Sequence, residues 1–168
     1  MNCLRVTFLF LMLLSASAFA KSEGHIITAS STKSSLSIFK DSYDEVQGSF
    51  DATAAYDYSF AQGLMLGADF GTSIYSNSSF WSLAVGPGYN FNKQDIENSY
   101  YATAKVGAAS SHYGSYSTTY ALVTLKGGKR FKLMEHVSYV PGVSISKVFV
   151  TGSDPTLTFE IFRIAIIF

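Results

Sequence analysis

The residues best suited to chemistry in this 168-residue chain lie in the segment SSHYGSYS, residues 110–117, where His112 stands among serine hydroxyls. A serine becomes a nucleophile when a base lies within hydrogen-bond reach and a third group orients that base. The segment contains no carboxylate, so the orienting group would have to come from another connection. The candidates for that role are Asp41, Asp44, Glu45 and Asp154. His25 and His136 fall at the opposite rim of the predicted strands, too far from His112 to assist, so we expect a solvated His112 and no catalytic residues.

Metal, cofactor and nucleic-acid sites are not indicated either. The three histidines are scattered, and the single cysteine, Cys3, lies in the apolar N-terminal segment. Twelve basic residues balance twelve acidic ones, and no basic run or acidic tail is present. We therefore expect no metal, no cofactor and no nucleic-acid partner.

The first twenty residues, MNCLRVTFLFLMLLSASAFA, have the layout of a secretory signal peptide. Arg5 precedes an apolar run, and the small-x-small pattern Ala18-Phe19-Ala20 closes the segment. The apolar run is shorter than the roughly 20 residues that a membrane-spanning helix needs. The sequence predicts a signal peptide over residues 1–20 and one domain over residues 21–168.

Apolar and polar residues alternate with period two through the domain, and this pattern predicts strands rather than helices. The expected strands are 25–39, 46–60, 64–75, 80–91, 99–110, 118–131, 137–150 and 156–168. The short connections make them antiparallel. The first strand alternates poorly, and we assign Ile26, Thr28, Leu36 and Ile38 to its apolar face.

The last strand ends on the segment FEIFRIAIIF and alternates clearly. Its apolar face carries Phe162, Ile164, Ile166 and Phe168, and its other face carries Ile161, Arg163, Ala165 and Ile167. Pro87 and Pro141 interrupt two other strands, because proline cannot donate to a ladder, and a bulge near the strand end can absorb each.

Composition decides which solvent each face meets. Charged residues are only 14% of the chain, against roughly 25% in an ordinary soluble domain. The polar faces carry mainly Ser, Thr, Gly and Ala, and aromatic residues collect near both strand ends. A membrane barrel has an apolar outer face, a polar interior and two aromatic girdles. The sequence therefore predicts a closed eight-stranded antiparallel up-and-down transmembrane β-barrel.

The signal peptide, the eight alternating strands and the terminal FRIAIIF together resemble the small bacterial outer-membrane β-barrels of the OmpA/OmpX type. The segment LAVGPGYNF, residues 83–91, is similar to their strands as well. The resemblance implies an outer-membrane location with both termini periplasmic, and contact with outer-membrane lipid and lipopolysaccharide. It also implies a monomer whose Phe162, Ile164, Ile166 and Phe168 form the signal that the barrel assembly machinery reads.

Five charged residues are expected to point into the barrel and to pair across it. They are Asp51, Asp69, Lys105, Lys126 and Arg163. An eight-stranded barrel is just wide enough for side chains to fill, and we expect Met65, Tyr75, Tyr101 and Ile161 to interrupt any continuous path. A structural or surface-interaction role is therefore preferred. A narrow pore for small solutes and a lipid A-modifying enzyme remain as alternatives.

Overall fold

The computed structural model describes residues 23–30, 50–74, 78–150 and 152–168, and its regular structure is almost entirely β-strand. The strands are β1 (Gly24–Ser30), β2 (Phe50–Ser59), β3 (Leu64–Ile74), β4 (Ser78–Asn90), β5 (Tyr100–Tyr113), β6 (Tyr116–Lys129), β7 (Phe131–Met134), β8 (Val137–Tyr139), β9 (Gly142–Val148), β10 (Thr156–Glu160) and β11 (Arg163–Ile167). One 3₁₀ turn, Ile96–Asn98, separates β4 from β5. Within these ranges no helix is long and apolar enough to cross a membrane.

All eleven strands belong to one antiparallel sheet, which confirms the predicted all-β antiparallel class. The order is β10-β9-β6-β5-β4-β3-β2-β1-β11-β8-β7. The first and last strands are neighbours, because Ile26 of β1 lies opposite Ile167 of β11. On its other side, Ile26 lies opposite Asp57 of β2. The sheet thus brings the two ends of the chain's described part side by side.

The last three predicted strands each contain an interruption. β6 and β7 are separated by Arg130, β8 and β9 by Val140 and Pro141, and β10 and β11 by Ile161 and Phe162. Pro141 lacks an N–H, so a break at this point costs the ladder no donor. The backbone still bridges two of the breaks. At the first, the Arg130 amide donates to the Ser99 carbonyl; at the second, the Pro141 carbonyl accepts from the Lys129 amide and the Val140 amide donates to the Arg163 carbonyl.

Pro87 is accommodated without the bulge expected for it. It lies opposite Leu66 inside β4. The ladder between β4 and β5 runs from the pair Val85–Val106 to the pair Gly88–Thr103 in one unchanged register. The proline therefore removes a local ladder contact and shifts no residue.

The segment predicted as a loop around His112 is a tight hairpin. β5 and β6 pair as far as Tyr113 and Tyr116, and Gly114, with φ of 57°, begins the two-residue turn. A glycine with positive φ at the first turn position suits the twist of a two-residue hairpin. The two strands are therefore longer than expected, and we call this side of the sheet the hairpin end. The opposite side, which holds Gly24 and Phe168, is the terminus end.

Burial follows the predicted alternation in most strands but contradicts it at two places. Ile26 and Thr28 are buried on the inner face of the sheet, although the sequence assigned them to the apolar outer face. Ile161 is exposed together with Phe162, because the interruption between β10 and β11 shifts the alternation by one residue. Residues 31–49, with Leu36 and Ile38, and Tyr75 lie outside the described residues, as do residues 1–20.

Candidate functional site

The inner face of the sheet carries a chain of ion pairs that begins at Lys105. Its Nζ lies 2.6 Å from Asp57 Oδ1 and 2.6 Å from Asp69 Oδ1. Lys105 is only 1% exposed, and Asp57 is similarly buried. A buried ammonium is tolerated when it is paired and hydrogen-bonded, and both carboxylates supply that compensation.

The chain continues through a second lysine. Lys126 Nζ lies 3.2 Å from Asp69 Oδ2 and 3.2 Å from Glu160 Oε1. Glu160 Oε2 accepts a hydrogen bond of 2.8 Å from Arg163. Three cations alternate with three anions, so the interior network, Asp57–Lys105–Asp69–Lys126–Glu160–Arg163, carries no net charge.

Six of the described strands contribute a side chain to the interior network. Asp57 comes from β2, Asp69 from β3, Lys105 from β5 and Lys126 from β6, while Glu160 ends β10 and Arg163 begins β11. Each side chain points inward because alternation places it on the buried face. The void that Asp57, Asp69, Lys105, Lys126 and Arg163 help to line within the network has no room for a water molecule.

A fourth buried cation lies beside the interior network without an acidic partner among the described residues. Arg130 is 2% exposed and donates to Asn90 Oδ1. Its guanidinium carbon stands 4.6 Å from the ring centre of Tyr101. The Tyr101 hydroxyl in turn accepts a 2.8 Å hydrogen bond from Arg163, which ties Arg130 to the network through one ring.

An apolar plug fills the interior at the terminus end. Its members are Ile26, Met65, Ile96, Tyr101, Val140, Ala165 and Ile167. All are at most 4% exposed, so this region is packed like a protein core. The plug explains why Ile26 points inward, since an apolar side chain there meets other apolar side chains rather than water.

The 3₁₀ turn packs against the apolar plug at the terminus end. Ile96 projects from the turn into the plug, and Asp95 caps the turn by accepting from the Asn98 amide. The carbonyl of Glu97 accepts a 2.8 Å hydrogen bond from Ser138, and its carboxylate pairs with Lys132. The connection between β4 and β5 is thereby fastened across the terminus end.

A cavity of about 370 Å³ lies on the hairpin side of the interior network. Its floor includes Asp69, Lys126, Glu160 and Arg163. Hydroxyl-bearing residues line much of its wall, namely Thr53, Ser73, Ser82, Thr124, Ser144, Ser146, Thr156 and Thr158. The interior is therefore filled at the terminus end and roomy at the hairpin end.

Of the five charged residues expected in the interior, the structure joins four. Asp69, Lys105, Lys126 and Arg163 belong to the interior network, whereas Asp51 is buried farther along β2 and has interactions of its own. Three other charged residues were missed, namely Asp57, Arg130 and Glu160. Asp57 shares the face of Asp51 and Arg130 that of Lys126, so alternation alone would have found them.

Glu160 was missed because the alternation of the final strand was extended back from Phe162 across the interruption at Ile161 and Phe162. Within Thr156–Glu160 the alternation holds, since Leu157 and Phe159 are exposed and Glu160 is buried. The same interruption removes Ile161 from the interior, so of the residues expected to block the path the structure places Met65 and Tyr101 there.

The residues of the expected assembly signal line the outer face of the final strand. Phe162 and Ile164 are exposed, while Ile166 and Phe168 are half-buried. Phe168 exchanges two backbone hydrogen bonds with His25, of 2.7 and 3.0 Å, and the two rings stack. The terminal residue thus fastens the contact between β11 and β1.

Asp41, Asp44 and Glu45, considered as orienting groups for catalysis, lie outside the described residues, and within the described ranges no carboxylate contacts His112. His112 is exposed, and its strand neighbours are Ser79 of β4 and Ser117 of β6. Ser110 is buried and lies 3.5 Å, oxygen to oxygen, from Ser117. In the described part of the chain, no group of acidic, histidine or cysteine side chains is arranged to hold a metal ion.

Comparison with known proteins identifies the fold. No protein-family model matches the chain, and no curated protein sequence matches it. Its structure is similar to that of Neisserial surface protein A (NspA), with a TM-score of 0.59 and 13% identity over 90% of this chain and 100% of that one. It is also similar to the Yersinia pestis outer membrane protein Ail in a phospholipid bilayer nanodisc, with a TM-score of 0.55 and 14% identity over 88% and 99% of the chains. The predicted resemblance to small outer-membrane β-barrels is confirmed at the level of the fold.

Proposed function

We propose that the chain forms a closed eight-stranded barrel in the bacterial outer membrane. The strand pairing supports closure. β10 and β7 stand at the two ends of the sheet order. Neither is a true edge, because each is joined along the chain to a strand that has partners in the sheet. β10 pairs with β9 and leads into β11, which pairs with β1 and β8, while β7 continues β6, the partner of β9. Joining each interrupted pair gives eight strands around a ring with no free edge.

The outer surface supports a membrane environment. Leu66, Leu83, Val85, Val106 and Ile145 are each about half exposed on it, and no acidic residue faces outward from the described strands. Lipid requires such a surface, together with backbone groups that are satisfied within the protein. Exposed aromatic residues stand at both ends, including Phe91, Tyr100 and Phe131 at the terminus end and Trp81 and Phe149 towards the hairpin end.

The filled interior favours a structural or surface-interaction role over transport. The single observation that carries this proposal is the interior network with the apolar plug behind it, because together they leave no water-sized space at that level. A narrow pore could open only if the interior network and the apolar plug both moved. The cavity at the hairpin end is lined by Asp69, Lys126, Glu160 and Arg163 of the network.

A surface-interaction role is supported by the hairpin of β5 and β6. Tyr113 and Tyr116, which flank its turn, are 67% and 81% exposed. Tyrosine and serine provide contact area at low entropic cost, and the turn has both. In the proposed orientation the hairpin faces outward from the cell, with the termini periplasmic and the outer-membrane lipid and lipopolysaccharide around a monomeric barrel.

An enzymatic role is the weaker proposal. Catalysis by His112 would need a hydroxyl and an orienting carboxylate in contact with it. Its strand neighbours offer serines, but no described carboxylate contacts its ring. A loss of a lipid A modification on replacing His112 with alanine would reverse this preference.

The single tryptophan of the chain provides a test of the membrane placement. Trp81 is 43% exposed on the outer face of β4, so in a bilayer its indole would contact acyl chains directly. We expect brominated acyl chains to quench its fluorescence strongly in reconstituted vesicles. Quenching by an aqueous quencher alone would contradict the proposal.

A matched variant separates lipid contact from mere proximity to the membrane. Phe80 precedes Trp81 and packs inward against the buried cluster of Ala84, Ala109 and Leu122. The double change Trp81→Phe with Phe80→Trp moves the indole to the inner face at nearly the same depth. Brominated lipid should then quench several-fold less, and equal quenching would show that the two faces are not separated by the barrel wall.

A further inference from the structure

A lysine on the outer face at the terminus end sits between two aromatic rings. Lys129, at the end of β6, holds its Nζ 5.0 Å from the ring centre of Tyr100 and 4.6 Å from that of Phe131. Its backbone lies directly opposite Tyr100. The ring faces attract the ammonium, so its position at the level of the exposed aromatic residues is fixed.

Lys129 differs from the other lysines of the described strands because neither a carboxylate nor a carbonyl oxygen accepts a hydrogen bond from its ammonium there. Lys105, Lys126 and Lys132 each contact a carboxylate, and Lys147 donates to the Ser153 carbonyl. The hydrogen-bonding capacity of the Lys129 ammonium, which is three donors, is therefore left for a group outside the described chain. An aromatic ring accepts part of the charge but satisfies no strong hydrogen bond.

A strip of small residues extends from Lys129 along the outer face towards the other end. The pair Tyr100–Lys129 is followed by Ala102–Gly127 and then Ala104–Leu125. A Cβ added at Gly127 would meet only the Tyr101 carbonyl oxygen, at an ordinary 3.7 Å, so close backbone packing does not require this glycine. The strip is a shallow apolar track that ends at a cation.

We propose that Lys129 and Tyr100 bind the phosphate of an anionic phospholipid, with one acyl chain lying over Ala102 and Gly127. This inference rests on the proposed membrane placement. The phosphate accepts from the ammonium and from the exposed Tyr100 hydroxyl, and the small side chains leave room for the hydrocarbon below it. A cation joined to an apolar track matches a lipid, which has both parts, and does not match a free anion.

The test uses the full chain reconstituted in phosphatidylcholine that contains a minor fraction of phosphatidylglycerol. Native mass spectrometry after gentle detergent extraction counts the phosphatidylglycerol molecules retained. We expect Lys129→Gln to reduce retention about fivefold, the effect of one basic residue near an anionic lipid surface. Lys93→Gln, which removes the same charge from an exposed position at the terminus end, should retain as much as the unmodified chain.

A second variant tests the apolar track while keeping the charge. Gly127→Leu fills the strip beside Lys129 and should also lower retention, and inorganic phosphate added to the sample should not displace the lipid.

Equal retention in Lys129→Gln and the unmodified chain, or equal losses in Lys129→Gln and Lys93→Gln, would overturn the site. Displacement by inorganic phosphate would overturn the lipid as its occupant. If the unmodified chain does not enter the bilayer, the membrane placement fails with it, whereas an inserted chain without lipid selectivity contradicts only the site.

Discussion

At the scale of single residues, the interior network makes the energy of each charge depend on its partners. Lys105 forms ion pairs with Asp57 and Asp69, but Asp69 also forms one with Lys126. Asp57 therefore depends more on Lys105 than Asp69 does. Removing one member of a buried ion pair costs about 3–5 kcal/mol, because the other charge is stranded. Among the described residues, Lys105 is the one cation that forms an ion pair with Asp57.

We expect Lys105→Met to lower the free energy of unfolding by more than about 2 kcal/mol, a value reduced from the range for buried pairs because water can enter from the neighbouring cavity. Urea unfolding of the reconstituted protein, followed by Trp81 fluorescence, measures this change. The second change Asp57→Asn should recover part of the loss, and Asp69→Asn should recover less.

Lys93→Met is the matched control, since it makes the same replacement at an exposed position. Its effect should stay within about 0.5 kcal/mol, as for ordinary surface changes. If Lys105→Met shifts the urea midpoint no more than Lys93→Met, the interior charges are separately hydrated and do not form a network.

Sequence predicted most of these residues because a charge on the polar face of a strand must point inward. It could not predict the pairing, which depends on strand register. It also missed Glu160, because the alternation read from Phe168 was extended across the interruption at Ile161 and Phe162. It also misassigned Ile26, because the rule that apolar residues face outward fails where the interior holds an apolar plug.

At the scale of elements, β4 and β5 approach each other too closely for a side chain at Gly107. A Cβ added there would lie 1.8 Å from the Leu83 carbonyl oxygen and 2.6 Å from Ala84 Cα. Both contacts are with backbone, so the two strands would have to separate. The glycine is therefore required by the strand spacing.

We expect Gly107→Ala to lower the free energy of unfolding by about 2 kcal/mol or more, as overpacking against rigid neighbours does. Gly127→Ala provides the comparison on the adjacent strand, where the new Cβ has room, and should change stability by less than about 1 kcal/mol. Refolding yield and urea unfolding of the two variants measure the difference. Similar losses would mean that the spacing of β4 and β5 is not what the structure shows.

Two neighbouring residues of the last strand should affect different properties, Ile167 the stability of the fold and Phe168 its assembly in cells. Ile167 is 3% exposed within the apolar plug, whereas Phe168 lies at the end of the contact with β1 and belongs to the expected assembly signal. We expect Ile167→Ser to lower the unfolding free energy more, by about 2–5 kcal/mol for a buried large-to-small change. Phe168→Ser should instead lower the amount of heat-modifiable protein inserted in cells more.

Refolding into vesicles without the assembly machinery is the control for these two variants. Phe168→Ser should insert there nearly as well as the unmodified chain. Equal insertion of both variants in cells would show that the terminal phenylalanine has no special part in assembly.

Most of the strands were predictable from sequence because alternation over ten or more residues fits the period of a strand and not that of a helix. Their ends were less predictable. β5 and β6 extend through SSHYGSYS because Gly114 permits a two-residue turn, although the polar composition of that segment is typical of a loop. The interruption at Val140 and Pro141 was expected from the proline, whereas those near Arg130 and Ile161 depend on the packing of the terminus end, which no local pattern records.

At the scale of the whole molecule, the two ends of the proposed barrel differ. The terminus end is filled by the apolar plug, fastened by the 3₁₀ turn and backed by the interior network, while the hairpin end encloses a hydroxyl-lined cavity and carries exposed tyrosines. The outer surface is apolar between these ends. This asymmetry agrees with a barrel that is anchored in lipid, closed towards one side and available for contact on the other.

Conductance in planar bilayers is the sharpest test of the blocked interior. Because the network and the plug leave no space for water at one level of the interior, the inserted protein should show no discrete conductance steps. Insertion is verified in the same preparation by heat-modifiable migration and by Trp81 quenching with brominated lipid. Silence from inserted protein is the expected result, and stable, discrete steps of uniform size would contradict the blocked interior and favour the narrow pore.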